Sequence, residues 1–130
     1  MFVTRKMDYC IRIVRALSKG GILSANEISS REHIPAAITY KLLKTLLKAG
    51  VVKSFRGAEG GYQLDIDCSQ TSLLDLFRKL GIEVLVNKCL SPGYKCENIS
   101  CEKCKIHLEL NRIQNVLMEE LGSKTIAELV

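Results

Sequence analysis

Four of the six cysteines fall within sixteen residues, spaced Cys89-x6-Cys96-x4-Cys101-x2-Cys104, and His107 follows three positions later. Thiolates hold soft metals and iron–sulfur clusters, and an imidazole can complete either set. Cys10 and Cys68 stand apart from this group. No apolar run approaches a membrane span, and Met1–Cys10 lacks the apolar core of a signal peptide. The chain is therefore expected in the cytoplasm, where thiols stay reduced and a cysteine cluster points to metal or redox chemistry rather than disulfides. Zinc is one solution, with Cys96, Cys101, Cys104 and His107 as a tetrahedral set. Zinc ribbons, however, use two tight ligand pairs, whereas here one tight pair is joined by donors spread along a loop. That spread favours an iron–sulfur cluster, either 2Fe–2S or 4Fe–4S, with zinc as the alternative. Cys104 and His107 sit where a long helix begins, so both can point the same way, and a helix N-terminus favours the negative thiolate.

The elements that must carry this loop are readable from periodicity. The 130 residues are 47% apolar and 25% charged, as in a soluble globular domain. Met7–Leu17 has a helical apolar face of Ile11, Val14 and Leu17, closed by Gly20-Gly21. Ser24 and Glu27 form a capping box for a short second helix, and Glu32-His33-Ile34 makes the turn after it. Pro35 suits the first position of a third helix. In that helix Ile38, Leu42, Leu46 and Ala49 form the expected inward stripe, and Thr39, Tyr40, Lys41, Lys44 and Lys48 the outward face. Gly50 ends it. Strands at Val51–Ser54 and Tyr62–Leu64 flank the glycine-rich segment Phe55-Arg56-Gly57-Ala58-Glu59-Gly60-Gly61. A helix-turn-helix followed by a hairpin is the winged-helix order.

A fourth helix runs over Ser72–Leu80, capped by Ser72 or Thr71, and Gly81 stops it. Ile82–Val86 has no assignable pattern, and Asn87–Lys103 reads as a loop. Lys105–Leu121 is a long helix with the stripe Ile106, Leu110, Ile113, Leu117 and Leu121, which packs on its own domain or on a second subunit; the second subunit is the expectation, since a helix-turn-helix works as a dimer on two half-sites. Thr125-x-x-Glu128 caps a final stub.

Charge divides the chain. Residues 1–56 hold 11 Lys/Arg against three acids, a net of +8, while residues 57–130 hold 8 against 11, a net of −3. A basic amino-terminal half suits a polyanion such as nucleic acid. Two histidines and no nucleophile–base set argue against an enzyme.

Thr4-Arg5-Lys6-Met7-Asp8-Tyr9, Arg56-Gly57-x-x-Gly60-Gly61-Tyr62, the clustered cysteines and the closing Thr125–Leu129 together resemble the Rrf2 family of bacterial winged-helix transcription regulators, along essentially the whole chain. The resemblance implies a mainly α fold with a small β-hairpin, a winged helix-turn-helix plus a long dimerisation helix. It implies a recognition helix at Ala36–Ala49 and a wing arginine at Arg56. In cluster-holding members three loop cysteines are ligands, matching Cys89, Cys96 and Cys104. The fourth ligand is a histidine at the position of His107 or an acid at the position of Asp8 from the partner subunit. The cysteine spacings here are longer than in the best-known members, and Cys101 is an extra thiol that also competes for the fourth place.

The expectation is thus a homodimeric regulator, a repressor, that binds palindromic double-stranded DNA, responds to iron–sulfur, redox or nitric oxide status, and involves no membrane. Its expected parts are a DNA-binding domain over 1–81, a cysteine-rich loop over 82–104, and a dimerisation helix with stub over 105–130. Arg5, Lys6, Thr39, Tyr40, Lys41, Lys44, Arg56 and Gly57 are the candidate DNA contacts. Iron, oxygen and nitric oxide remain open as signals.

Overall fold

The computed structural model describes residues 3–97 and 101–130, with Cys101 described by its backbone. It comprises helices α1 (Arg5–Ser18), α2 (Ala25–Glu32), α3 (Ala36–Lys48), α4 (Leu73–Lys79), α5 (Lys105–Ser123) and α6 (Ile126–Leu129), with strands β1 (Val52–Phe55) and β2 (Gly61–Leu64) between α3 and α4. Two 3-10 turns, Lys88–Leu90 and Cys101–Lys103, lie between α4 and α5.

Local chemistry sets most of the boundaries. The side chains of Thr4, Ser24 and Ser72 accept the backbone N–H groups of Met7, Glu27 and Asp75, satisfying donors that a helix start leaves open. Glu27, Asp75 and Glu128 complete reciprocal capping boxes. Pro35 stands at the N-cap of α3, one position before the expected one.

The antiparallel hairpin pairs Val52 with Leu64 and Phe55 with Gly61. Leu23 extends it by exchanging backbone hydrogen bonds with Tyr62 at 3.0 and 2.8 Å. This explains Gly61: a Cβ there would stand 2.4 Å from the Leu23 carbonyl oxygen. At the tip, Gly57 has φ +104°, a conformation that side-chain-bearing residues rarely adopt.

The main core joins Ile13, Val14 and Leu17 of α1, Ile28 of α2, Leu42, Leu43 and Leu46 of α3, Val51, Val52 and Leu76. Burial pushes the Cys10 thiol in this core up to about 11, so it stays protonated and packs as a small apolar group. Ile126 of α6 also enters the core, after its N–H bonds the Thr71 carbonyl at 2.7 Å. A second cluster packs Met7, Phe77 and Val84 against Leu117, Met118 and Leu121 of α5.

That second cluster assigns part of the α5 stripe to its own chain rather than to a second subunit. Leu117 and Leu121 cover their own chain, while Ile106, Leu108, Ile113 and Val116 are the exposed apolar side chains of the helix. A helical period shows that a face is apolar without showing which surface covers it. No described helix is long and apolar enough to cross a membrane.

Candidate functional site

The helix-turn-helix is clamped at its turn. α2 ends at His33, whose φ of 51° and ψ of 46° make it the one described non-glycine residue with positive φ. Ser29 holds the turn from both sides: its carbonyl accepts the Ile34 N–H at 3.1 Å, and its hydroxyl donates to the Ile34 carbonyl at 2.6 Å. From α1, Arg15 pairs with the buried Glu32 carboxylate, and Arg12 donates to the Glu32 carbonyl at 3.4 Å. The Glu32 partnership holds the Arg15 guanidinium above its ordinary pKa, first through the hydrogen bond and then through charge. An acid in the last turn of a helix opposes the dipole, which is the sequence signal that Glu32 needs a cation. The sequence reading missed this tie, which joins α1 to the last turn of α2.

α3 presents Ile38, Tyr40, Lys41, Lys44 and Lys48 to solvent. Thr39 is not among them. It is fully buried, and its hydroxyl donates to the Pro35 carbonyl at 3.2 Å. Because that bond satisfies the hydroxyl internally, Thr39 takes the inward place expected for Ile38, which is 37% exposed. Thr39 is therefore withdrawn as a DNA contact.

Arg5 and Lys6 are exposed at the start of α1. With Tyr9, Ile38 and Lys41 they line a cavity of about 340 Å³ between α1 and α3. Arg56 and Gly57 are exposed at the hairpin tip. Nearby on β1, the Lys53 ammonium sits 6.0 Å from the centre of the Phe55 ring. Cations thus occupy the start of α1, the exposed face of α3 and the wing.

The cysteine segment packs on α5 through both 3-10 turns. Cys89 lies in the first, where the Asn87 side chain accepts its N–H at 3.2 Å. Cys104 is the N-cap of α5, and its Sγ accepts the His107 N–H at 3.4 Å. Cys89, Cys96 and Cys104 are each half-buried. His107 Nδ1 is buried and has no hydrogen-bond partner among the described residues. The Cys101 side chain, offered from sequence as a ligand, lies outside the described residues. Asp8 is engaged by Arg12, at 3.2 Å through Nε and 2.9 Å through the terminal nitrogen.

The donor types suit a soft metal or iron–sulfur group: three thiols and an imidazole nitrogen on one segment, two of the donors at a helix N-terminus. A buried imidazole nitrogen without a partner is costly unless something binds it. Among the described residues, no three His, Cys, Asp or Glu side chains stand close enough together to hold a metal ion.

Comparison with known proteins adds to this geometry. Residues 3–130 match the family model described as Rrf2, iron-dependent transcriptional regulator. A Haemophilus influenzae chain carrying the name of an HTH-type transcriptional regulator is 34% identical over all of this chain and 87% of its own length. The HTH-type transcriptional regulator IscR of Escherichia coli is 29% identical over 98% of this chain and 74% of its own. Among solved structures, CymR, the global cysteine regulator of Bacillus subtilis, superposes with a TM-score of 0.76 at 28% identity, covering 98% of this chain and 94% of that one. Sequence, fold and relatives converge: the chain is a non-enzymatic winged-helix protein belonging to the Rrf2 family of transcriptional regulators.

Proposed function

We propose that this transcriptional regulator works as a homodimer on palindromic double-stranded DNA and that an iron–sulfur cluster held by Cys89, Cys96, Cys104 and His107 governs its operator occupancy. The observation that carries the reading is the donor set on one stretch of chain: half-buried Cys89, Cys96 and Cys104 on the segment leading into α5, and in the first turn of that helix the buried, unpartnered Nδ1 of His107.

Each residue has a stated task. Tyr40, Lys41 and Lys44 project from α3 for the major groove, Arg56 and Gly57 reach in or beside the minor groove, and Arg5 and Lys6 neutralise phosphates. The exposed side chains Ile106, Ile113 and Val116 of α5 meet their copies on a second subunit. Cys104, the N-cap of α5, contributes a sulfur donor where that helix begins, and His107 contributes the fourth donor. When bound, an iron–sulfur cluster supplies bonds that respond to oxidants, nitric oxide and iron supply. Repression follows where the segment over 82–104 and α5 hold the two reading heads at the spacing of two half-sites.

The test is anaerobic purification followed by visible absorption with iron and sulfide analysis, in wild type and in the Cys89→Ala, Cys96→Ala, Cys104→Ala and His107→Ala variants. Expected are broad visible absorption with stoichiometric iron and sulfide in wild type, their loss in each cysteine variant, and a perturbed, more labile spectrum in His107→Ala. A colourless wild type with stoichiometric zinc would replace the cluster by a structural metal. An unchanged His107→Ala beside a bleached Asp8→Ala would move the fourth ligand to Asp8.

A further inference from the structure

Gln114 is buried in α5, 9% exposed, against the chain that enters the cysteine segment. Residues 82–86 form no strand, so their peptide groups lack a ladder. A single side-chain amide takes its place: Gln114 Nε2 donates to the Val84 carbonyl, and Gln114 Oε1 accepts the Val86 N–H, each at 2.8 Å. Holding a carbonyl and an N–H two residues apart copies the pairing of a neighbouring strand. It fixes the rotation of the segment as well as its position. An apolar side chain at 114 would leave both peptide groups stranded, so burial of this amide is compensated only while the segment stays in this register.

What the register controls lies on either side. Cys89 follows three residues after Val86. On α5, His107 precedes Gln114 by seven residues, about two turns, and so shares its face. Val84, 7% exposed, packs with Met7 of α1 and Phe77 of α4 in the winged-helix part.

We infer that Gln114 is the positioning residue of the cysteine segment: it sets where Cys89 stands relative to Cys104 and His107, and it ties that segment through Val84 to α1 and α4. The inference rests on the proposed cluster site for its effect on metal binding, while the register itself is readable in metal-free protein. A displacement at Cys89 then reaches the DNA-binding part through a hydrogen-bonded anchor and a packed valine.

The experiment compares wild type with Gln114→Leu, which removes both bonds, and Gln114→Glu, which keeps the acceptor for Val86 and serves where the leucine variant does not fold. Circular dichroism checks folding. Amide exchange at Val86 and the rate of Cys89 alkylation are measured without metal. Bleaching by a chelator is measured after anaerobic reconstitution with ferrous iron and sulfide. Expected in a folded Gln114→Leu are lost protection at Val86, faster alkylation of Cys89 with Cys104 unchanged, and bleaching about tenfold to a hundredfold faster. Gln114→Glu should fall between it and wild type. Wild-type exchange and alkylation in a folded variant would overturn the inference, as would accelerated exchange with unchanged bleaching. A wild type that takes up no iron and sulfide would overturn the cluster reading instead, and the metal-free rates would then decide the role of Gln114 alone.

Discussion

At the scale of single residues, the division between side chains that build the reading head and those it exposes is sharp. Thr39 and Tyr40 are neighbours, yet one is fully buried and the other 47% exposed. Thr39→Ala should alter stability through lost packing and leave sequence preference intact. Arg56 has the opposite profile, exposed at a hairpin tip whose backbone is fixed by Gly57 and Gly61. Arg56→Ala should weaken operator binding by about 1–3 kcal/mol with little change in melting temperature. A gel-shift titration beside a thermal melt checks both halves, and an unchanged affinity would remove Arg56 from the interface. Thr39 also shows where sequence reading stops. Ile38 is the more apolar of the pair, and nothing short of the Pro35 carbonyl reveals that the threonine hydroxyl is satisfied internally.

At the scale of elements, helix starts were legible and helix surfaces were not. Ser24 with Glu27 and Thr125 with Glu128 act over three residues, so a local pattern announces them, whereas the pairing of Ser72 with Asp75 and the Thr4 cap of α1 emerge only with the fold. Hydrogen bonds from the cap residues hold the three carboxyls below their ordinary pKa values. A carboxyl depressed on folding adds stability that is present above its unfolded pKa, about 4, and is lost as pH falls through the folded value. The melting temperature should therefore decline on acidification below about pH 4. Asp75→Asn should melt lower than wild type near neutrality, and the gap should close in acid; a gap that stays constant would detach the caps from the acid response.

For α5 the apolar stripe was evident, but the surfaces covering it were set by residues far away in sequence. Leu117 and Leu121 meet Phe77 and Val84, and Gln114 meets Val84 and Val86. Leu117→Glu should consequently lower the melting temperature by burying a charge against Phe77. Ile113→Glu, on the exposed side, should fold normally and shift light scattering from dimer to monomer. A stable dimer in Ile113→Glu would place the interface on another surface.

At the scale of the whole molecule, the chain joins a basic reading head to a cysteine segment through one helix that returns to the core. α5 begins just after its cap Cys104, passes the winged-helix part at Leu117 and Leu121, and hands over to α6, where Ile126 is buried in the main core. The charge asymmetry along the sequence made the nucleic-acid side legible before any fold was known. Cysteine spacing marks a candidate donor set, but among the described residues no three of its side chains stand close enough to hold a metal ion. The central claim is that the cysteine segment controls DNA binding. Its most direct test is fluorescence anisotropy on a duplex selected from random sequence, comparing protein reconstituted anaerobically with iron and sulfide to the metal-free protein at fixed salt. The expected result is a palindromic duplex bound with affinities that differ by about tenfold or more between the two forms, a coupling of about 1.4 kcal/mol. Equal affinities in the two forms, with the cluster present by absorption, would contradict it.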